Sequence, residues 1–139
     1  MKKIFIDGSA GTTGLRIFER LSPRTDITLL TLPEEERKDP ASRARALNTA
    51  DIAILCLPDV AAREAVSLIE NPNTVVLDTS TAHRTAPGWV YVFPELSPAH
   101  ADAIRKAQRI AVPGCHASGF IALTAPLRAA GILPGGTLL

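Results

Sequence analysis

F-I-D-G-S-A-G-T-T-G-L, from Phe5 to Leu15, places Gly8, Gly11 and Gly14 at even spacing directly after a short apolar run. K-I-F-I-D (Lys3 to Asp7) predicts a strand, and the segment from about Thr13 to Leu21 predicts a helix, so the glycines fall in the turn between them. Glycine in that turn permits a sharp reversal, lets the backbone approach a pyrophosphate, and allows the helix to pack closely on the strand. The free N–H groups and the dipole at the helix start favour an anion. Glycines also mark ordinary turns. It is the place of these three, in the first strand–turn–helix unit, that predicts a dinucleotide site.

Beyond this stretch the chain alternates short apolar runs with helix-length segments. Ile27–Leu32 reads as a second strand, and P-E-E-E-R-K-D-P as a loop or solvated turn. A short helix is expected over Ala41–Ala50, a buried strand over Asp51–Leu57 closed by Pro58, a helix near Val60–Glu70 and a strand at Thr74–Asp78. Strands that are apolar throughout and separated by helices predict a mostly parallel sheet covered on both faces. The expected fold is therefore a doubly wound, Rossmann-like α/β domain with right-handed connections. After Asp78 the rhythm loosens into an irregular segment with one short strand at Trp89–Val92. A helix near Pro98–Ala107 capped by Ser97, a last strand at Arg109–Val112, and a helix over Ala117–Ala130 ended by Gly131 complete the reading. The final I-L-P-G-G-T-L-L reads as the beginning of a further strand, so the chain is expected to be cut there rather than finished.

With 139 residues, 46% of them hydrophobic and 21% charged, the chain has the size and balance of one globular unit. A formal net charge of +1 argues against a nucleic-acid binder. No apolar stretch is long enough to span a membrane, and no signal peptide is expected, because no apolar segment precedes Asp7-Gly8. Two cysteines, Cys56 and Cys115, cannot make a disulfide framework, which predicts a reducing, cytoplasmic setting. No metal site is expected.

A site for NAD calls for an acidic residue at the end of the second strand. Here that strand ends T-L-P, with Glu34–Glu36 next and Arg37-Lys38 after them. Ser9, Thr12, Arg37 or Lys38 could meet a 2′-phosphate, which leans the reading towards NADP; Pro33–Asp39 reads equally as a charged surface loop.

The two cysteines differ. Cys56 lies in a strand among apolar neighbours, where a thiol packs as a small hydrophobe. Cys115 follows Pro113-Gly114 and opens a helical segment, the setting of a reactive thiolate. Beside a nicotinamide, such a thiolate attacks an activated acyl carbon to give a thioester, which hydride reduces to an aldehyde. His116 adjoins the nucleophile, yet neighbours on a helix point about 100° apart, which makes it a wall of the site rather than a base. His83 and His100 read as a loop contact and a helix surface.

Together, Phe5–Leu15, A-I-L-C-L-P-D (Ala53–Asp59), D-T-S-T-A-H-R-T-A-P-G-W-V-Y (Asp78–Tyr91), F-P-E-L (Phe93–Leu96) and P-G-C (Pro113–Cys115) resemble the N-terminal portion of the short-chain N-acetyl-gamma-glutamyl-phosphate reductases, more distantly related to aspartate-semialdehyde dehydrogenases. The resemblance covers nearly the whole chain. It implies NADPH-dependent reduction of N-acetyl-glutamyl 5-phosphate to the semialdehyde, with release of phosphate, in arginine biosynthesis. It also implies a role for each matching residue. Cys115 is the nucleophile; Gly8, Gly11, Thr12, Thr13 and Gly14 hold the cofactor phosphates; Cys56, Leu57 and Pro58 border the nicotinamide ribose, with Ser80 on the same side. Arg84 and Glu95 belong to the substrate side, where Arg84 could hold an anionic group by paired hydrogen bonds, and His116, outside the matching residues, is expected there as a wall of the site. On this basis residues 1–114 form the NAD(P)-binding domain and residues 115–139 the nucleophile helix and the start of a second domain. That second, α+β domain supplies the assisting histidine and most of the contact in a homo-oligomer. It is expected to lie outside these residues, leaving the chain inactive alone.

Val92, Val112 and His116-Ala117-Ser118 depart from the family pattern and bear on the fit of the site rather than on the nucleophile. Two other readings are an aspartate-semialdehyde dehydrogenase-like enzyme, which the H-R-T-A-P-G-W stretch fits poorly, and a stand-alone dinucleotide-binding module, against which Cys115 counts.

Overall fold

In the computed structural model, which describes residues 1–134 and 136, one six-stranded sheet runs through the molecule. The strands are β1 (Lys2–Asp7), β2 (Ile27–Leu30), β3 (Ile52–Leu55), β4 (Val75–Asp78), β5 (Val90–Tyr91) and β6 (Arg109–Ala111), and the helices α1 (Thr12–Leu21), α2 (Pro40–Thr49), α3 (Asp59–Ser67), α4 (Pro98–Lys106) and α5 (Cys115–Ala129). The sheet order is β2-β1-β3-β4-β6-β5 and every pairing is parallel, so the expectation of a mostly parallel sheet becomes an entirely parallel one. The strand expected at the end of the chain lies largely outside the described residues. Among the described residues no helix is long and apolar enough to cross a membrane.

The apolar runs are explained by burial on two faces. Phe5, Ala53, Leu55 and Val76 pack on one side with Leu47 and Ala50 at α2 and Ala65 of α3. Their neighbours in sequence, Ile4, Ile6 and Ile54, point to the other side, against Ile17, Phe18 and Leu21 of α1. Successive strand residues face opposite ways, so a strand covered on both faces has no polar alternate positions to spare.

Element ends moved where side chains intervene. The helix expected to reach Glu70 stops at Ser67, because Asn48 Oδ1 accepts the N–H groups of Glu70 (2.7 Å) and Asn71 (2.8 Å), and its Nδ2 donates to the Leu68 carbonyl. The second strand ends at Leu30, and the loop after it holds a 3-10 turn at Glu34–Glu36. Ser97 caps α4 as expected, accepting the His100 N–H at 3.3 Å. The last helix begins at Cys115 instead of Ala117: extended Gly114 (φ −70°, ψ 154°) is its cap. Gly131 ends it with φ +72°, its N–H donated to the Arg128 carbonyl.

Candidate active site

The chain runs from β1 outward to β2 and then back across β1 to β3, so the order reverses between β1 and β3. Ligands of open parallel sheets bind at such a reversal, beyond the carboxyl ends of the strands. The glycine turn follows β1 there and Cys56-Leu57-Pro58 follows β3. Gly8 has φ +85°, and a Cβ on it would stand 2.3 Å from the Cys56 carbonyl oxygen. A Cβ on Gly14 would stand 2.2 Å from the Gly8 carbonyl oxygen, so α1 presses on the turn where only hydrogen fits. Gly11 caps α1, its N–H donated to the Gly8 carbonyl at 3.0 Å, while Thr12 and Thr13 are exposed on the first turn.

A cleft of about 460 Å³ opens from this turn past the end of β2, lined by Gly8, Ser9, Ala10, Thr31, Leu32, Glu34, Arg37, Lys38, Arg43, Leu57, Ala61 and Glu64. Its size and mixed lining suit the adenosine half of a dinucleotide, and the bare backbone at Gly8 and Gly11 suits the pyrophosphate, so the residues present fit that group. Arg37, whose Nε donates to the Leu32 carbonyl at 3.4 Å, and Lys38 bring positive charge to the cleft, and Ser9 adds a hydroxyl; Thr12 does not line it.

Buried Arg43 is a residue that sequence reasoning missed. Its Nε and Nη2 donate to Asp7 Oδ2 at 3.1 and 3.0 Å, and its Nη1 reaches Glu64 at 3.3 Å. Burial pushes the Asp7 carboxyl above its ordinary range, opposed by the Arg43 guanidinium and the Gly8 N–H. The pairing places a compensated carboxylate, rather than a bare one, at the start of the glycine turn. An arginine in a polar helix carries no sequence signal of this role. Cys56, half-buried just past β3, has its thiol pushed up by burial.

The second half of the site lies at the ends of β4 and β6, on the same edge of the sheet. Exposed Cys115 is the first residue of α5, with His116 Nδ1 3.9 Å from its Sγ, too far for more than a weak contact. Arg84 arrives from the β4–β5 loop: a Cβ on Gly114 would stand 3.0 Å from both Nη1 and Nη2 of its guanidinium. The same guanidinium lies over the Tyr91 ring at 5.7 Å, and its Nε is buried without a hydrogen-bond partner among the described residues. Ser80 is buried, donating its hydroxyl to Asp78 Oδ2 at 2.8 Å and accepting the Ala82 N–H. His83, read as a loop contact, is buried on Asp78 and stacked on Trp89, and His100 Nδ1 meets Ser97 Oγ. Glu95 lines a second groove of about 470 Å³, between the Pro94–Leu96 turn and the later turns of α5, the helix that Cys115 opens.

A family model described as semialdehyde dehydrogenase, NAD binding domain, matches residues 34–104. N-acetyl-gamma-glutamyl-phosphate reductases of Burkholderia ambifaria and Trichormus variabilis are 59% and 57% identical over 94% and 95% of this chain, which covers 42% and 41% of them. A Pseudomonas putida relative, N-acetyl-gamma-glutamyl-phosphate reductase 2, is 59% identical over 94% of the chain and 42% of its own length. The chain thus spans less than half the length of these curated relatives. The solved structure of aspartate semialdehyde dehydrogenase from Francisella tularensis aligns over 94% of this chain and 42% of that one, with a TM-score of 0.71 at 16% identity. The Candida albicans enzyme with NADP aligns over 93% and 47%, with a TM-score of 0.66 at 18% identity. Those two likenesses share the fold, and the family match spans half the chain: it belongs to the NAD-binding domains of the semialdehyde dehydrogenases.

Proposed function

We propose that this chain is the cofactor-binding and nucleophile-bearing portion of an N-acetyl-gamma-glutamyl-phosphate reductase. The reading rests on one arrangement: Cys115 opens α5 with the Arg84 guanidinium against Gly114, on the same sheet edge as the glycine turn. The Cys115 sulfur attacks the acyl carbon of N-acetyl-glutamyl 5-phosphate, the carbon–oxygen bond to phosphate breaks, and phosphate leaves with that electron pair. Arg84 meets the anionic group next to the reacting carbon, for which its unspent N–H donors are suited. Bound NADPH supplies the hydride that turns the thioester into the semialdehyde and frees the sulfur. Gly8, Gly11, Thr12, Thr13 and Gly14 hold the pyrophosphate, and Cys56, Leu57, Pro58 and Ser80 border the nicotinamide end. Ser9, Arg37 and Lys38, in the cleft at the end of β2, receive the 2′-phosphate.

Phe120 (52% exposed), Leu123 (75%) and Leu127 (40%) of α5 support the view that further chain, of the length its relatives have, covers this helix and completes the site and a homo-oligomer. The free thiols of Cys56 and Cys115 favour a reducing, cytoplasmic setting. His116 and Glu95 then line the substrate side. The test is NADP reduction by N-acetyl-glutamate semialdehyde and phosphate, run on this chain and on the chain extended to its relatives' length. Only the extended protein should turn over, and Cys115→Ser should lower its kcat by about a thousandfold or more. Undiminished turnover by Cys115→Ser would refute the reading.

A further inference from the structure

Along the β4–β5 loop, successive residues are fastened one by one. Ser80 is tied to Asp78 through both its N–H (2.9 Å) and its hydroxyl (2.8 Å). Thr81 gives its N–H (3.0 Å) and hydroxyl to Asp59 at the start of α3. The Ala82 carbonyl accepts Arg63 Nη1 at 2.9 Å. His83 is buried, its Nδ1 2.6 Å from Asp78 Oδ2 and its ring stacked on Trp89 at 4.1 Å and 12°.

The next residue, Arg84, gives its backbone N–H to the Thr81 carbonyl at 3.4 Å, but its side chain breaks the sequence of anchors. Its guanidinium lies against Gly114 and Tyr91, and its buried Nε has no partner among the described residues. A side chain without hydrogen bonds of its own takes its position from the backbone that carries it. Here that backbone is held by the Thr81 contact on one side and by the clamped residue before it, whose carbonyl accepts the Ala86 N–H at 3.1 Å.

We propose that His83, clamped between Asp78 and Trp89, is the positioning residue that fixes the Arg84 guanidinium behind Gly114 and so sets the positive field at the Cys115 thiol. This rests on the reading of Arg84 as the group that meets the substrate anion. Asp78 at the end of β4 binds Ser80 and His83 through the same oxygen, so the rigid sheet and the loop share one anchor. Trp89 closes the loop from its far end, its N–H bonded to the Ala86 carbonyl.

The test uses two alkylating reagents of different charge on the 139-residue chain, iodoacetate and the neutral iodoacetamide, with modification of Cys115 read by peptide mass spectrometry. Attraction by one nearby guanidinium should favour iodoacetate by about threefold relative to a free thiol such as N-acetylcysteine. Arg84→Gln should abolish that preference, and His83→Ala and Trp89→Leu should lower it at least halfway to the Arg84→Gln value. A loss of fold raises both rates together and removes the preference by itself, so the ratio is read only in variants that keep the wild-type thermal midpoint within a few degrees; if His83→Ala does not, Trp89→Leu is judged by the same criterion. Wild-type preference in the His83 and Trp89 variants, with loss in Arg84→Gln, would refute the positioning role and leave the anion reading of Arg84 standing. Unchanged preference in Arg84→Gln would overturn that reading, and the proposal with it.

Discussion

Two glycines with the same backbone twist separate conformation from contact. Gly8 (φ +85°) faces the Cys56 carbonyl, whereas Gly88 (φ +80°) has nothing within 4 Å of where its Cβ would be. Gly88→Ala should cost only the left-handed backbone, about 1–2 kcal/mol. Gly8→Ala adds a backbone collision and should cost clearly more, with loss of nucleotide binding; urea midpoints and NADPH titration read both. Arg43 makes a second prediction at this scale. Arg43→Met leaves the Asp7 carboxylate buried beside a thioether, a loss of about 3–5 kcal/mol at neutral pH. Burial already raises Asp7 in the folded protein, so its ionisation subtracts stability. That subtraction is absent below the unfolded value of 3.8 and grows as pH rises through the folded one. The variant's deficit should therefore shrink towards acid pH, as urea midpoints across that range would show. Gly8 was legible in the sequence, because the turn needs glycine; the Arg43–Asp7 contact was not, because residues far apart in the chain leave no local pattern when they pair.

Elements were legible where periodicity alone decides them. Lys2–Asp7 and Val75–Asp78 lie within a residue or two of their expected bounds, since a strand buried on both faces must be apolar throughout. Ends were less legible where a distant side chain intervenes, as Asn48 does at the end of α3. Leu55, fully buried on the face shared with α2 and α3, should cost about 2–5 kcal/mol on replacement by alanine in urea denaturation. At the start of α3, Thr81 holds the Asp59 carboxyl below its ordinary range, helped by Arg63 and Arg84. The tie between α3 and the β4–β5 loop should therefore be fully present above the unfolded value of 3.8 and lost as pH falls through the lower folded one. Asp59→Asn should remove that acid dependence, and proteolysis of the loop at graded pH would report it.

At the scale of the molecule, strand–helix alternation foretold a parallel, doubly wound sheet, and the first βα turn marked the candidate nucleotide site. The placing of β5 outside β6 was hidden, because neither short strand carries a signal of its neighbour. Half of the candidate site followed from single residues in telling positions, such as Cys115 after Pro113-Gly114. The other half, Asp78 with His83 and Trp89 behind Arg84, exists only once the loop is folded. In the function proposed above, the glycine turn and the cleft beyond β2 form a nucleotide site with a preference for the 2′-phosphate. The most direct measurement is the thermal midpoint of this chain with NADPH and with NADH. A ligand at a hundred times its Kd that binds only the folded state adds about 2.7 kcal/mol. The midpoint should rise by about 5 °C or more with NADPH and by less with NADH, and the difference should narrow in Arg37→Ala/Lys38→Ala. No rise with either nucleotide, or an undiminished rise in Gly8→Ala, would contradict this reading.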